Sequence, residues 1–500
     1  MPEHGFQHSE NEIARNALLQ QVAVLESEME DTRAQIAEKQ AFLLKQEQQR
    51  RRSDSQLNSL SPIDQFPGEI KTEIFYSALR LLPKRGKNPF FLGKICRGWR
   101  DFVWSCTVLW TNIHLRLTKK NRKVQTNLLR DWLSRTAGCP LTFCLASGWS
   151  DDWDGGSSFK QILTMLASAS TQWKDVKFFL PDSKVCYDAI STAENSLPLL
   201  TTAAVHLNSS ERPFNLFSVA PQLSMLCINN IRLANVLAPW HQLKAFTSRN
   251  IRLHEVREFF QKAPNIVRCK LNCGGSSVQG EPLAVFVRPL VLERLEYLQL
   301  QVGLNVVGIT QVLESVKLPS LCEVYLHNNV ASSSPMVILP AIMISFCSSH
   351  LLEKLTLTDK ITSDDELIQV WGYIPYTKEL CLEFGSFCQQ RVYPPLTERL
   401  LQRLHPLHAE ILLPNLQSIT YCGPSTLNEH MLLFRDVLVY RFRQCALRPA
   451  EVDSKRATVS QIQSVTLKTQ SRLVISSDIQ EELDCLVKEG LELSLTSTPW

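Results

Sequence analysis

Long apolar runs are missing from this sequence. No stretch of about 18 apolar residues occurs, so no membrane-spanning helix is expected. The opening segment, MPEHGFQHSENEIARN, holds no apolar core of a secretory signal, and none is expected. Excess charge is missing too: a net +4 is too small to make nucleic acid or an anionic membrane the main partner. The 15 cysteines lack paired spacing, which points to free thiols in a reducing compartment, cytoplasmic or nuclear.

Chemistry-bearing motifs are equally scarce. CGGSSVQG (273–280) is glycine-rich but lacks the Gly-Lys-Ser/Thr end of a phosphate loop, and reads as an inter-repeat loop. HPLH (405–408) has no companion cysteine or carboxylate pair at metal spacing, and Pro406 favours a loop. The cysteines of CKLNC (269–273) read as free thiols on a strand. No nucleophile elbow occurs. The expectation is a chain that is not an enzyme, with no cofactor and no metal site.

What is present divides into regions, as roughly two to four domains would in 500 residues. Over 11–50, Leu18, Val22, Leu25, Met29, Thr32, Ile36, Lys39 and Phe42/Leu43 recur in alternating steps of four and three, uninterrupted by Gly or Pro. That is a long amphipathic helix, readable as a coiled coil. Thr32 and Lys39 weaken the seam, so self-association and folding back onto the following domain both stay open. Arg50, Arg51 and Arg52 read as a solvated helix end, with a nuclear-import tag as the alternative. SDSQLNSLSP (53–62) supplies turn residues, placing a linker at 51–60.

From 118 onward a loose repeat appears. WKDVKF (173), LSMLCI (223), LKAFTS (243), IVRCKL (266), LEYLQL (295), LCEVYL (321), LEKLTL (352), TKELCL (377) and LQSITY (416) mostly follow L-x-x-L-x-L. Pro221, Pro264, Pro319, Pro375 and Pro414 each stand two residues ahead of such a segment. Helical stretches such as LHEVREFFQKA (253–263) and GITQVLESVKL (308–318) separate several copies, and VTLK, IQEELDCLVKEG and LELSLT continue the pattern over 465–496. Strand plus helix at roughly 20–31 residues is the signature of leucine-rich repeats, whose units bury their apolar faces only by stacking. The fold class is therefore α/β: an N-terminal coiled-coil helix, a small helical domain at 61–117, then a repeat solenoid over 118–500.

The helical domain holds ICRGWRDFVWSCTVLW (95–110), with three of the chain's ten tryptophans. Pro67 sits at a helix start. Ile70, Ile74, Phe75, Ala78 and Leu79 form one stripe, Pro83 and Gly86 break it, and Leu92, Ile95, Cys96 and Trp99 form a second. About 50 residues are too few to bury three tryptophans alone. Such aromatics serve as partner anchors, or the repeats cover them.

FPGEIKTEIF…FFLGKICRGWRDFVWSCTVLWTNIHL resembles the F-box, of general form L-P-x-E-I-L-x-x-I-F, then V-C-R-x-W-R and L-W, in particular the large fungal F-box families with an N-terminal heptad helix and C-terminal repeats. Phe66, Pro67, Glu69, Ile70, Ile74, Phe75, Cys96, Arg97, Trp99, Arg100, Leu109 and Trp110 fall on the pattern, while Phe66 replaces Leu and Lys71 stands where Leu is usual. The match covers about 50 residues. It implies a non-catalytic substrate receptor of an SCF-type cullin–RING ubiquitin ligase. Pro67, Ile70, Ile74, Phe75, Leu92, Ile95, Cys96 and Trp99 would serve the Skp-type adaptor, and Trp99 and Trp110 would tie the domain to the first repeat. A scaffold acting outside the ligase through its coiled coil is the alternative.

Alternation along the strands directs Asp175, Lys177, Phe179; Met225, Cys227, Asn229; Ala245, Thr247, Arg249; Arg268, Lys270, Asn272; Tyr297, Gln299, Gln301; Glu323, Tyr325, His327; Lys354, Thr356, Thr358; and Glu379, Cys381, Glu383 outward. Basic residues gather early and acidic ones late. Arg249, Arg268, Lys270, Tyr297, Gln299, Tyr325 and His327 are the candidate substrate contacts, with an acidic or phosphorylated segment expected near Arg249, Arg268 and Lys270. Ordinary solvated strand residues would explain the same distribution.

Overall fold

A computed structural model describes residues 4–59, 62–81, 88–118, 120–147, 157–181, 183–210, 212–273, 289–302, 311–328, 351–358, 364–384, 396–408, 410–444 and 459–497. The chain divides into two compact units, Met1–Thr111 with Arg135–Ala137, and Asn112–Ser134 with Gly138–Trp500. Among the described residues no helix is long and apolar enough to cross a membrane.

The first unit is helical. Helix α1 (His4–Ser59) runs 56 residues, and every described side chain on it is exposed. No linker occupies 51–60, because the helix continues to Ser59 with Arg50 paired to Asp54 one turn on, at 3.8 Å. Serine and asparagine disfavour a helix by only tenths of a kcal/mol each, about 0.5, so the turn residues do not break it.

Helix α2 (Gly68–Leu81) starts directly behind Pro67, whose carbonyl accepts from Lys71 N at 3.0 Å. The break expected at Pro83 and Gly86 lies outside the described residues. The second stripe is two helices, α3 (Pro89–Leu92) and α4 (Arg97–Ser105). Asn88 caps α3 by accepting from Phe91 N at 3.1 Å, and Cys96 caps α4, its sulfur accepting from Trp99 N at 3.4 Å. Gly93 between them is obligatory: a Cβ there would lie 2.1 Å from the Trp104 ring.

The second unit is one sheet of 14 parallel strands in chain order, each beside its predecessor. They are β1 (Asn112–Leu117), β2 (Leu141–Ser147), β3 (Trp173–Leu180), β4 (Thr202–Ser210), β5 (Met225–Ile231), β6 (Ala245–Arg249) and β7 (Arg268–Cys273), then β8 (Tyr297–Val302), β9 (Glu323–Asn328), β10 (Lys354–Thr358), β11 (Glu379–Glu383), β12 (Ser418–Gly423), β13 (Ser464–Thr469) and β14 (Glu492–Ser497). The expected boundary at 117 moves to 111: Ile113, Leu115 and Leu117 are buried and alternate with exposed His114 and Arg116, the pattern of a half-buried strand. The helix expected over 308–318 is helical at 311–314 and then gives way to Val316–Lys317, which pairs with Leu290–Val291; 308–310 lie outside the described residues, as do 274–280 of the glycine-rich loop.

Register makes the core continuous. One row reads Leu115, Leu145, Phe178, Val205, Ile228, Ser248, Leu271, Leu300, Leu326, Leu357, Leu382, Tyr421, Leu467 and Leu495 across all 14 strands. From Leu115 to Leu467 every member is buried. Each fully buried Leu, Val or Phe in such a row is worth about 1.5–3 kcal/mol. Returning helices press on this face: Phe259 of helix Leu253–Lys262 stacks on Phe246 at 4.1 Å, with Trp240 edge-on. The result is a mixed α/β chain with a long N-terminal helix and a large open parallel sheet, compatible with a leucine-rich-repeat-like solenoid.

Candidate protein-interaction surfaces

Within the first unit, α2 divides its apolar residues between inside and outside. Phe75 packs on Trp99 at 4.6 Å and on Phe102 at 5.5 Å, and Leu79 is buried with it. Trp104 and Trp110 meet edge-to-face at 5.4 Å, Phe90 packs on both, and the Arg135 guanidinium lies over both rings at 5.5 and 5.0 Å. Trp110 also donates from its indole to the Val103 carbonyl at 2.8 Å and is wholly buried. Trp99 thus packs inside the helical unit against Phe75.

Two expected adaptor residues, Phe75 and Leu92, are core: they are 1% and 3% exposed and out of a partner's reach. Ile74, Cys96 and Trp99 are half-buried, with Cys96 committed to capping. Pro67, Ile70 and Ile95 face outward, joined by Phe66 and Phe91, which is 49% exposed. Exposed large apolar side chains of this kind are the composition a docking face requires. Phe91 escapes the pattern of apolar positions, which does not say which ring of Phe90-Phe91 turns inward.

On the sheet, the outward residues align in three rows. The middle row runs His114, Cys144, Lys177, Ala204, Cys227, Thr247, Lys270, Gln299, Tyr325, Thr356 and Cys381. The flanking rows bring Arg268, Tyr297, Glu323, Lys354 and Glu379 to one side, and His206, Asn229, Arg249, Asn272, Gln301, His327 and Glu383 to the other. The first seven strands carry Arg116, Lys177, Arg249, Arg268 and Lys270 against Asp175, whereas the last seven carry Lys354 and Lys468 against Glu323, Glu379, Glu383 and Glu492.

The two halves also differ in how their charges are engaged. Lys354 is paired with Glu379 at 2.8 Å. Among the described residues no carboxylate pairs with Arg249, Arg268 or Lys270; the last two instead lie over the Tyr297 ring, at 4.2 and 5.4 Å. Tyr297 is therefore buried although it points outward, and its hydroxyl donates to Gln299 at 3.0 Å. Burial first, then Glu323, raises its pKa. Gln301 accepts from Asn272 at 2.7 Å, and His327 is bonded to Thr358. Tyr325 is half-buried beside them.

Strand β4, which lies outside the series of L-x-x-L-x-L segments, brings His206 into this face. Its ring stacks on Phe179 at 4.1 Å and bonds to Asn229, whose carbonyl accepts from Arg249 N at 3.1 Å. Burial, with the Arg249 charge beside it, pushes the imidazole down to about 4. Burial raises the Cys227 thiol against the pull of Arg249 and Lys177, and burial with Glu383 pushes Cys381 up to about 12. Both thiols stay protonated near neutrality.

No family model matches the chain, and no curated protein matches it. Among solved structures, the chain is similar to the protein of "Crystal structure of TLR13-ssRNA13 complex" at 13% identity and a TM-score of 0.26, over 72% of this chain and 55% of that one. The chain spans about half the length of that structure.

Proposed function

We propose that this chain is a non-catalytic substrate-recognition subunit of an SCF-type cullin–RING ubiquitin ligase in cytosol or nucleus. Its F-box at 62–111 binds the Skp-type adaptor, and through it the cullin scaffold, while its leucine-rich-repeat-like sheet binds a protein substrate. The observation that carries the reading is the helical unit, where buried Phe75 and Leu92, with half-buried Trp99 packed on Phe75, leave Phe66, Pro67, Ile70 and Ile95 exposed. That division gives a small domain both a reason to fold and an apolar face left for a partner.

The substrate lies on the outer sheet face. Between Lys177 and Lys270 the middle row holds only Ala204, Cys227 and Thr247, a floor of small side chains with Arg249 and Arg268 along its borders. Four strand spacings make that floor about 19 Å wide, the span of roughly six extended residues. An acidic or phosphorylated segment fits it by charge.

The test is co-purification of the full chain with a Skp-type adaptor, beside an Ile70→Asp/Ile95→Asp variant that alters only exposed positions. Binding by the wild type and its loss in the variant are expected. A folded wild type that captures no adaptor would overturn the reading and favour the scaffold alternative, which the exposed apolar stripe of α1 supports. Arg268→Glu/Lys270→Glu should lose substrate while keeping the adaptor; retention of every substrate would remove the basic floor from the account.

A further inference from the structure

We infer that α1 joins two copies of this chain as a parallel, in-register coiled coil. The apolar stripe does not fold back: Leu18, Val22, Leu25, Met29, Ile36, Phe42 and Leu43 are 48–62% exposed. The helix is 56 residues long, about 84 Å at 1.5 Å per residue. A helix exposed along its length lacks the tertiary packing that ordinarily holds helices in water.

Among the described residues nothing supplies the missing cover. A seam of heptad period needs a helix of similar length with the same supercoil. The longest other described helices, Gly68–Leu81 and Arg122–Arg135, have 14 residues. A second α1 has the right length, period and pattern by identity.

Position along the heptad selects the arrangement. The steps of the stripe put Val22, Met29, Ile36 and Leu43 at the a positions and Leu18, Leu25, Thr32 and Lys39 at d. Val22 and Ile36 are β-branched at a, and Leu18 and Leu25 are leucines at d, the combination that suits two parallel strands. Placed in register, Thr32 meets Thr32 and Lys39 meets Lys39, so polar layers coincide. A one-heptad slip would press Thr32 on Leu25 and leave Lys39 facing Thr32, which penalises other registers. In register, Glu28 at g of one copy faces Arg33 at e of the other, five residues on, and symmetry makes this contact twice. Neither residue forms an ion pair within its own helix among the described residues, whereas Arg50 and Arg51 do.

The consequence for the molecule is two substrate faces and two adaptor faces per assembly, and bivalent engagement raises avidity without any new contact. The inference stands on α1 alone and does not depend on adaptor binding.

Light scattering on the full chain at micromolar concentration tests it. The expected mass is twice the 56.9 kDa of one chain. Leu25→Glu/Ile36→Glu should return it to 56.9 kDa, with unfolding of the second unit unchanged as the control for folding. A monomeric wild type, or a variant that stays dimeric, would overturn the proposal. Orientation is read separately. Glu28→Arg should weaken the dimer about 5-fold, and Glu28→Arg/Arg33→Glu should restore it. No weakening by Glu28→Arg would overturn the parallel register, because an antiparallel pair does not set Glu28 against Arg33.

Discussion

In β8 the side chains of Leu298 and Leu300 are wholly buried, whereas in α1 Leu18, Leu25 and Leu43 are each more than half exposed. Periodicity separates the two regions. In the sheet, a period of two places every second residue on a face that the next strand continues, so burial accumulates with each added unit. In α1 the apolar period is 3.5, and no described element of the chain follows it. An apolar residue is core only where the fold supplies a neighbour of matching period.

The sharpest way to break this comparison is to make the same substitution in both regions. Leu300→Ala should cost about 2–5 kcal/mol in denaturant unfolding of the sheet unit, since a buried row closes poorly over a cavity. Leu25→Ala should change that unfolding by less than about 0.5 kcal/mol while weakening self-association. Equal costs would mean that α1 is part of the same cooperative core.

Much of the sheet is legible in the residues. The outward and inward members of β3 and of β5 to β11 follow from strict alternation after a Pro or Leu start. Strands β2 and β4 escape the repeat pattern because Phe143 in β2, and Ala203 and Val205 in β4, stand where the leucines that mark it would be, and with β4 goes His206. In the helical unit the pattern identifies the apolar positions but not their direction. Whether Phe75 or Ile70 turns inward is decided by where Trp99 and Phe102 come to rest, and local sequence holds no record of that packing.

The helical unit extends the comparison, because there buried and exposed apolar residues alternate within a single turn. Gly93→Ala should destabilise that unit by about 1–3 kcal/mol, since the new methyl group would drive Trp104 off its place against Phe90 and Trp110. Thermal unfolding monitored by tryptophan fluorescence reads this directly. An unchanged midpoint would show that the aromatic cluster is looser than its geometry.

The outer face offers a smaller, pH-dependent effect. His206 titrates near 6.5 when unfolded and near 4 when folded. Between these values the unfolded chain binds the extra proton, so the contribution is complete above pH 6.5 and is lost as pH falls toward 4. It should amount to about 1 kcal/mol, well under the full shift because the half-buried ring remains partly screened by water. Stability measured from pH 7 to 4 should flatten in His206→Gln; an identical slope would assign the acid sensitivity elsewhere.

The smallest effect separates the two ends of the sheet. Lys354 and Glu379 are 2.8 Å apart with side chains 41% and 52% exposed, so Glu379→Gln should cost only about 0–1 kcal/mol, and less in high salt. In the acidic half, therefore, a cation is answered from within the chain. Among the described residues Arg268 and Lys270 have only the Tyr297 ring, and cation–π contact at an exposed site is worth about 0.5–1 kcal/mol, leaving both charges able to accept an anion. If Glu379→Gln abolished substrate capture while Arg268→Glu/Lys270→Glu did not, the polarity assigned to this face would be reversed.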